Sequence, residues 1–274
     1  MGYPSDLSVG EWQLLEPLLP SRRAVGHPNK WPRKQIIDAI FYVLRTGCAW
    51  RYLPKDFPLW QTVFYHYRFW RRQDVWQGVN RALRAATRVA SGRDPEPSGA
   101  IIDSQAVRTT EQGGPRGYDG HKKVSGRKRH VLVDTTGLLL KVVIHAADVH
   151  DRHGGKLVLE HAKADLPRLA HIWADQVTRE RSKPGLRKSK RLSWKSFIPG
   201  GDRSSVICLK SMPKWIRAVI RRRWVVERTF AWLGRNRRLA KDFERLSETS
   251  EALVYAAMSR LMLRRLARPE QSYS

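Results

Sequence analysis

The feature that most constrains the fold is a change of hydrophobic pattern close to residue 100. Before this point, residues 1–90 place apolar side chains three and four positions apart, which is the spacing of amphipathic helices. After it, short and almost continuously apolar segments predict buried strands. Strands of this kind, followed by a helix and another strand, indicate a mixed sheet covered by helices. The sequence therefore predicts an α/β fold, a mixed sheet with flanking helices, preceded by a small all-helical N-terminal domain.

The helices of residues 1–90 can be placed from their end signals. Ser8 and Glu11 have the spacing of a capping box, so we expect a helix to begin there. A second helix is predicted to begin near Pro32 and to end at Gly47, because glycine is a common C-terminal stop. Two further helical segments cover residues 59–73 and 75–89.

The second and third of these helices suggest a helix-turn-helix reader of DNA. On the third helix, Arg68, Arg71 and Arg72 are expected to be exposed and are candidate DNA contacts. Gln61 and His66 are expected on the same exposed surface. The turn between the two helices is longer than usual for this motif, and the aromatic side chains of the region are expected in the core.

Residues 91–99, with the sequence SGRDPEPSG, are small, polar and contain prolines, which predicts a linker. We therefore expect a DNA-binding domain over residues 1–90 and a second domain over residues 100–268. The second domain is predicted to end in an amphipathic helix capped by Ser247.

Apolar segments predict four strands in the second domain. Asp103 is expected to end the first strand and Asp175 to end the fourth. A DTTG turn predicts a hairpin between the second and third strands, and a helix is expected over residues 154–164. The segments are residues 100–109, in which the apolar run ends at Asp103, and residues 127–134, 138–146 and 169–175.

A basic, glycine-containing loop, RGYDGHKKVSGRKRH, separates the first two predicted strands. Lys122, Lys123, Arg127 and Lys128 make this loop suitable for contacts with DNA phosphates. The alternative interpretation is a solvated turn.

The charge of the chain narrows the choice of partners. A formal net charge of +27 implies a polyanionic partner, and nucleic acid is the usual one. A membrane surface is the alternative, but the sequence contains no run of about 18 apolar residues and no visible secretory signal. Cys48 and Cys208 are single and far apart, which excludes a zinc ribbon and argues against a disulfide framework. We therefore expect a cytoplasmic protein that does not enter membranes.

Three acids stand out by their positions. Asp103 and Asp175 are expected at strand ends, and Glu227 lies on an arginine-rich helix predicted over residues 221–238. Carboxylates suit hard divalent cations, and two such ions can activate an attacking oxygen and stabilise a leaving oxygen in phosphoryl transfer. The alternatives are turn-forming aspartates and a surface Arg–Glu pair. A second candidate metal site is the His- and Asp-containing cluster of residues 148–153, for which a polar loop is the favoured interpretation.

These residues carry a resemblance to a known family. DDE transposases of bacterial insertion sequences, specifically the fifth-numbered family, have segments similar to IIDSQAVRT, GYDGHKKVSGRKRHVLVDTTGLLL, IWADQ and RRWVVERTFAWLGRNRRLAKDFE. The likeness covers most of the chain. It implies a ribonuclease-H-like fold, Mg²⁺-dependent cutting with Mn²⁺ as a substitute, and strand transfer. It also implies binding to double-stranded DNA at element ends and target, self-association on DNA, and a location at the bacterial nucleoid.

The resemblance assigns roles to residues by position. Asp103, Asp175 and Glu227 match the three metal-binding acids and are therefore the expected catalytic residues. Arg223 matches the arginine of the family's signature, four residues before the glutamate. The cations expected to position DNA phosphates around this glutamate are Arg223, Arg228, Arg235 and Arg238.

The chain departs from the family pattern in and around one segment. The signature's tyrosine falls at Ile220 and its later basic residue at Gly234. Residues 177–220 are basic and lack helix or strand periodicity, whereas similar proteins have an amphipathic helix and a strand there. We hypothesise that this segment is read out of frame, and the alternative is a basic insertion that binds DNA. Translation of the gene in its other two frames tests the hypothesis, because the missing helix and strand should appear there.

The sequence thus predicts a DNA transposase that binds the terminal inverted repeats of its own insertion sequence and cuts with two metal ions. Water is the expected first nucleophile, and a freed 3′ hydroxyl is the second. If residues 177–220 are scrambled, the three acids are not assembled, and the protein is a transposase remnant that only binds DNA. A general nuclease is the third interpretation.

Overall fold

The helices and the sheet follow the order that the change of pattern predicts. The structure, a computed structural model, describes residues 2–20, 30–162, 165–174 and 224–268. Within these ranges, four α-helices precede a five-stranded mixed sheet that has helices on both faces. The predicted α/β class with a helical N-terminal region is therefore confirmed.

The predicted ends of the first two helices are confirmed. The Ser8 hydroxyl accepts a hydrogen bond from the Glu11 N–H at 3.2 Å, and the Glu11 carboxylate accepts one from the Ser8 N–H at 2.8 Å. The second helix ends at Gly47, whose φ of 75° is a left-handed conformation that favours glycine. The helices of this region are α1 (Val9–Leu15), α2 (Arg33–Thr46), α3 (Trp60–Arg72) and α4 (Val75–Ala90).

The sheet consists of β1 (Gly99–Arg108), β2 (Gly117–Asp119), β3 (Val124–Asp134), β4 (Leu139–Ala146) and β5 (His171–Ala174). Its strand order is β2–β3–β1–β5, with β4 also paired to β3. β1 runs antiparallel to β3 and parallel to β5, and β3 runs antiparallel to β4. This arrangement makes the sheet mixed, as predicted.

The strands differ from the prediction in two respects. Asp103 lies inside β1 and not at its end, because β1 pairs with β3 as far as Arg108. The basic loop contains β2 and the start of β3, so part of it is a paired hairpin and not a solvated turn. Gly126 permits close strand approach there, since a Cβ at this position would lie 2.0 Å from the Val107 carbonyl oxygen.

Three helices cover the two faces of the sheet, namely α5 (Asp151–Ala162), α6 (Trp224–Gly234) and α7 (Ser247–Leu266). On one face, Ile102 and Leu132 pack with Val158 of α5 in a small apolar cluster. On the other face, Val131 and Val133 belong to the main core, to which α6 and α7 also contribute. Both faces of the central strands are therefore buried.

Three helix boundaries differ from the prediction. The helix expected from residue 154 begins earlier, at Asp151. The arginine-rich helix ends at Gly234, so Arg235 and Arg238 follow it and do not lie on it. Ser247 does not cap α7, because Leu246 occupies the N-cap position and no side chain caps the helix.

Side chains of α7 cover the outer edge of β4. The Tyr255 hydroxyl accepts a hydrogen bond from the Val142 N–H at 3.3 Å, and the Glu251 carboxylate accepts one from the Ile144 N–H at 2.8 Å. The helix thus satisfies edge donors that would otherwise be open to another strand. Burial raises the pKa of Glu251 to about 7.

The helical region and the sheet share one core. Trp76 of α4 and Met258 of α7 are fully buried in the same cluster as Val131 of the sheet. Residues 91–99, predicted as a linker, also contact the sheet side, since Arg93 donates to the Thr135 hydroxyl at 3.4 Å. In the part of the chain that the structure describes, no helix is long and apolar enough to cross a membrane.

Substitution of Glu251 by glutamine should flatten the pH dependence of stability. The raised folded-state pKa of about 7 means that the carboxyl group contributes stability below about pH 4, which is lost as the pH rises through 7. Glutamine keeps an acceptor for the Ile144 N–H but carries no charge. Between pH 5 and 8, the free energy of unfolding from urea titration should fall by about 2 kcal/mol more in the wild type than in Glu251→Gln.

The matched control is Glu160→Gln on the surface of α5, where the glutamate is exposed and pairs with Lys156 at 3.5 Å. This variant should retain the wild-type pH dependence. An identical pH dependence for Glu251→Gln and the wild type would show that Glu251 is not protonated in the folded protein at neutral pH.

Candidate functional site

Asp103 lies on the face of the sheet that carries α6 and α7. Ile101 packs against the core that contains Val225 of α6, whereas Ile102 packs on the α5 side. Because side chains alternate along a strand, Asp103 shares the face of Ile101. Its carboxylate is half-buried, and its Oδ1 accepts a hydrogen bond from the Ser104 N–H at 2.7 Å.

Glu227 is exposed on α6, and the residues that follow it fix the helix in place. The Thr229 hydroxyl donates to the Gly137 carbonyl at 2.8 Å, and the Arg228 guanidinium donates to the Thr136 carbonyl at 2.7 Å. These bonds hold α6 on the turn between β3 and β4. The helix also contacts β1 directly, so the structure brings the helix with the glutamate to the strand with the aspartate.

β5 leads to the other predicted acid. It pairs with β1 in parallel, and the described register ends with Ile102 opposite Ala174. Asp103 and Asp175 are the next residues of the two segments in the sequence. The predicted features that lie outside the described residues are Asp175, Arg223 and the segment 177–220.

Arg127 is fully buried, which corrects the prediction that it contacts DNA phosphates. Its side chain is 0% exposed, and its guanidinium donates to the carbonyls of Glu244 and Arg245, each at 2.8 Å. It also forms an ion pair with Asp242 at 3.2 Å. The arginine therefore fixes the segment between α6 and α7 on the central strand β3.

Arg238 is also buried, and the prediction of a DNA contact is wrong for this residue too. Its Nη2 and Nε donate to one carboxylate oxygen of Glu244 at 2.6 and 2.8 Å, which neutralises its charge. Its Nη1 donates to the Cys48 carbonyl at 3.1 Å. The side chain thus joins the segment after α6 to the residues that follow α2.

Lys128 faces α5 and is buried as well, so it is not available to a phosphate. Its ammonium group pairs with Asp119 at 3.3 Å and with Asp151 at 3.0 Å, and donates to the Val149 carbonyl at 3.0 Å. Two acids and a carbonyl therefore surround one cation. This internal network replaces the phosphate contact expected from the sequence.

Two histidines lie beside this network. His130 Nδ1 and His145 Nε2 are 2.8 Å apart, and the two rings stack. Burial lowers the pKa of His130 to about 3 and also lowers the pKa of His145, so both rings are neutral at pH 7. Among the described residues, no group of three or more His, Cys, Asp or Glu is placed to hold a metal ion, which includes the cluster 148–153.

The remaining predicted DNA contacts lie at or near the surface. Lys122 donates to the Ser104 carbonyl at 2.7 Å, directly after Asp103 in β1. Arg71 is half-buried and lies 4.0 Å from the Glu248 carboxylate. The exposed members of the set are Arg68, Arg72, Lys122, Lys123 and Arg235.

Comparison with known proteins agrees with this fold. Residues 94–262 match the family model described as "Transposase DDE domain", and residues 7–80 match the model described as "Putative transposase of IS4/5 family". A Burkholderia cepacia protein named "Insertion element IS402 uncharacterized 16.2 kDa protein" is 32% identical over 108 residues. That alignment covers 37% of this chain and 72% of the relative. No solved structure matches the chain.

The mixed sheet with helices on both faces, together with the family match, defines a ribonuclease-H-like enzyme domain that acts on DNA. The chain belongs to the DDE transposases of insertion sequences. The resemblance found in the sequence motifs is therefore confirmed.

Removal of the Arg127 side chain should strongly destabilise the protein. Arg127→Met leaves the carboxylate of Asp242, itself 2% exposed, as an unpaired buried charge. Breaking a buried pair in this way costs about 3–5 kcal/mol. Urea unfolding at pH 7 measures the loss.

Arg68→Met, on the exposed surface of α3, is the matched control and should change stability by less than about 0.5 kcal/mol. Equal stabilities of the two variants would mean that Arg127 does not hold the segment between α6 and α7.

Proposed function

We propose that this transposase binds the terminal inverted repeats of its insertion sequence and catalyses metal-dependent strand cleavage and transfer. The observation that carries the proposal is the parallel pairing of β1 with β5 as far as Ile102 and Ala174. Asp103 and Asp175 directly follow that pair in the sequence, and α6, the helix that carries Glu227, contacts β1. The carboxylates of Asp103, Asp175 and Glu227 form the proposed catalytic site.

The donor set suits hard divalent cations, since carboxylate oxygens are the ligands that Mg²⁺ prefers. DDE transposases use divalent metals. We propose Mg²⁺ as the ion, with Mn²⁺ as a substitute, held by Asp103, Asp175 and Glu227. When bound, such ions would supply activation of the attacking oxygen and would neutralise charge on the leaving oxygen.

The protein's own residues position these acids and the DNA. The hydrogen bond from Ser104 orients Asp103, and the bonds of Arg228 and Thr229 to the β3–β4 turn fix the helix that carries Glu227. The family implies binding to DNA. We propose that water attacks first and a freed 3′ hydroxyl second, with the attacked phosphodiester held beside the acids by exposed cations such as Lys122.

We propose that residues 1–90 recognise the element ends and that residues 100–268 cut and join DNA. The exposed arginines of α3, Arg68 and Arg72, support the first part, because they are free to meet a phosphate backbone. Because the two regions share one core, the surface that recognises DNA and the site that cuts it would keep a fixed position relative to each other. Pairing of two element ends by two copies of the chain is the proposed mode of self-association.

A second function has one observation in its favour. Residues 177–220 lack the periodicity of a helix or strand, although they lie between the second and third proposed acids in the sequence. If this segment does not assemble the site, the protein occupies element ends without cutting them. The nicking experiment below separates a cutting enzyme from a DNA-binding remnant.

Asp103→Asn should abolish metal-dependent nicking. Asparagine keeps the shape of the side chain but removes the charge that holds the cation, so we expect a loss of roughly 10³-fold in rate. The measurement uses purified full chain, Mg²⁺ or Mn²⁺, and a labelled duplex that carries the natural repeats. DNA binding without metal should remain within about twofold of the wild type.

Asp74→Asn is the matched control, because Asp74 is exposed, lies between α3 and α4 and adopts a φ of 51° that asparagine tolerates. It should nick at the wild-type rate. Binding of the repeats without nicking by the wild type would support the remnant. Nicking that does not depend on the repeat sequence would support a general nuclease.

A further inference from the structure

A pocket of about 310 Å³ lies where α6 meets the turn between β3 and β4. Four separate parts of the chain line it, namely the stretch before β1, the turn, α6 and α7. Its cations are Arg93, Arg228 and Arg265, and the lining residues that the structure describes include no acid. Arg228, which lines the pocket, directly follows Glu227 in the sequence.

Two tryptophans hold the guanidinium groups in a stack. The Arg228 guanidinium lies between the Trp224 ring, at 4.3 Å from the centroid, and the Trp232 ring, at 4.8 Å. The Arg265 guanidinium lies over the Trp232 ring at 4.5 Å. Trp232 therefore contacts both guanidinium groups, and cation–π attraction helps to fix the positions of the two positive groups.

The charge of this pocket is not balanced by its own lining. Burial lowers the pKa of the Arg265 guanidinium, and the positive charge of Arg228 lowers it further, whereas the charge of Asp134 raises it. The nearby acid, Asp134, is fully buried and pairs with Arg88. A bound anion would offset the repulsion between the cations of the pocket.

We propose that this pocket binds a backbone phosphate of the DNA beside the cleavage site. Guanidinium groups match phosphate oxygens in geometry, and the rigid stack presents them with little loss of side-chain freedom on binding. Arg93 and Arg265 contact the phosphate, while Trp224 and Trp232 are positioning residues that hold the guanidinium planes. The proposal rests on the proposed function, since it names how the same enzyme holds DNA next to Glu227.

The test measures the salt dependence of DNA binding by the full chain without divalent metal. The probe is a labelled duplex of about 20 base pairs of arbitrary sequence, because a phosphate contact is independent of sequence. Arg93→Gln and Arg265→Gln should each weaken binding about five- to tenfold. Each should also lower the slope of log K against log salt by about 0.9, the value for one lost phosphate contact.

Lys156→Gln is the control, since Lys156 is exposed on α5, on the opposite face of the sheet, and pairs with Glu160. It should bind within about twofold of the wild type with an unchanged slope. If thermal melting shows that Arg265→Gln is unfolded, Arg93→Gln carries the test, because Arg93 lies outside the helices and is exposed. Arg265→Lys should keep the slope.

The pocket is not a phosphate site if Arg93→Gln and Arg265→Gln bind DNA with the same affinity and the same salt slope as Lys156→Gln. The two proposals fail differently. If the wild type nicks the repeats and both arginine variants bind DNA like the control, only the pocket proposal is refuted. If the wild type binds the repeats through this pocket but never nicks them, only the cutting function is refuted.

Discussion

The structure depends most on the ion pair between Arg127 and Asp242. Arg127 lies on the central strand β3 and contacts the segment that joins α6 to α7. Its guanidinium donates to two carbonyls of that segment and pairs with one carboxylate. Asp242 in turn accepts a hydrogen bond from the Ser250 hydroxyl at 2.6 Å, and its N–H donates to the Arg108 carbonyl at 2.8 Å. One buried pair thus ties β1, β3 and the start of α7 together, and so limits where α6 can lie on the sheet.

The same segment connects the helical region to the site. Arg238 bonds both Glu244 and the Cys48 carbonyl, and a Cβ added at Gly47 would lie 3.1 Å from the backbone of Arg237. The end of α2 therefore packs directly against the residues that follow the glutamate helix. This contact joins the helical region to the segment that follows the helix carrying Glu227.

Sequence patterns predicted the secondary-structure elements more accurately than they predicted the environments of the side chains. Ser8 and Gly47 act locally, so the ends of α1 and α2 were predictable from neighbouring residues. The length of β1 was not, because the pairing that carries the strand past Asp103 is with β3, far along the chain. Arg127 and Lys128 resembled a phosphate-binding loop because the acids and carbonyls that neutralise them come from distant segments. The sequence contained one signal of this burial. A basic segment that continues into a central strand is covered on both faces of the sheet.

The central claim is that Asp103 and Glu227 hold the same catalytic metal ions. The most direct test replaces each acid by cysteine and compares nicking of the natural repeats in Mg²⁺ and Mn²⁺. A thiolate ligand is poor for Mg²⁺ and better for the softer Mn²⁺. The account predicts that Asp103→Cys and Glu227→Cys are inactive in Mg²⁺ and recover part of the wild-type rate in Mn²⁺. Equal activity of either variant with the two metals would contradict it.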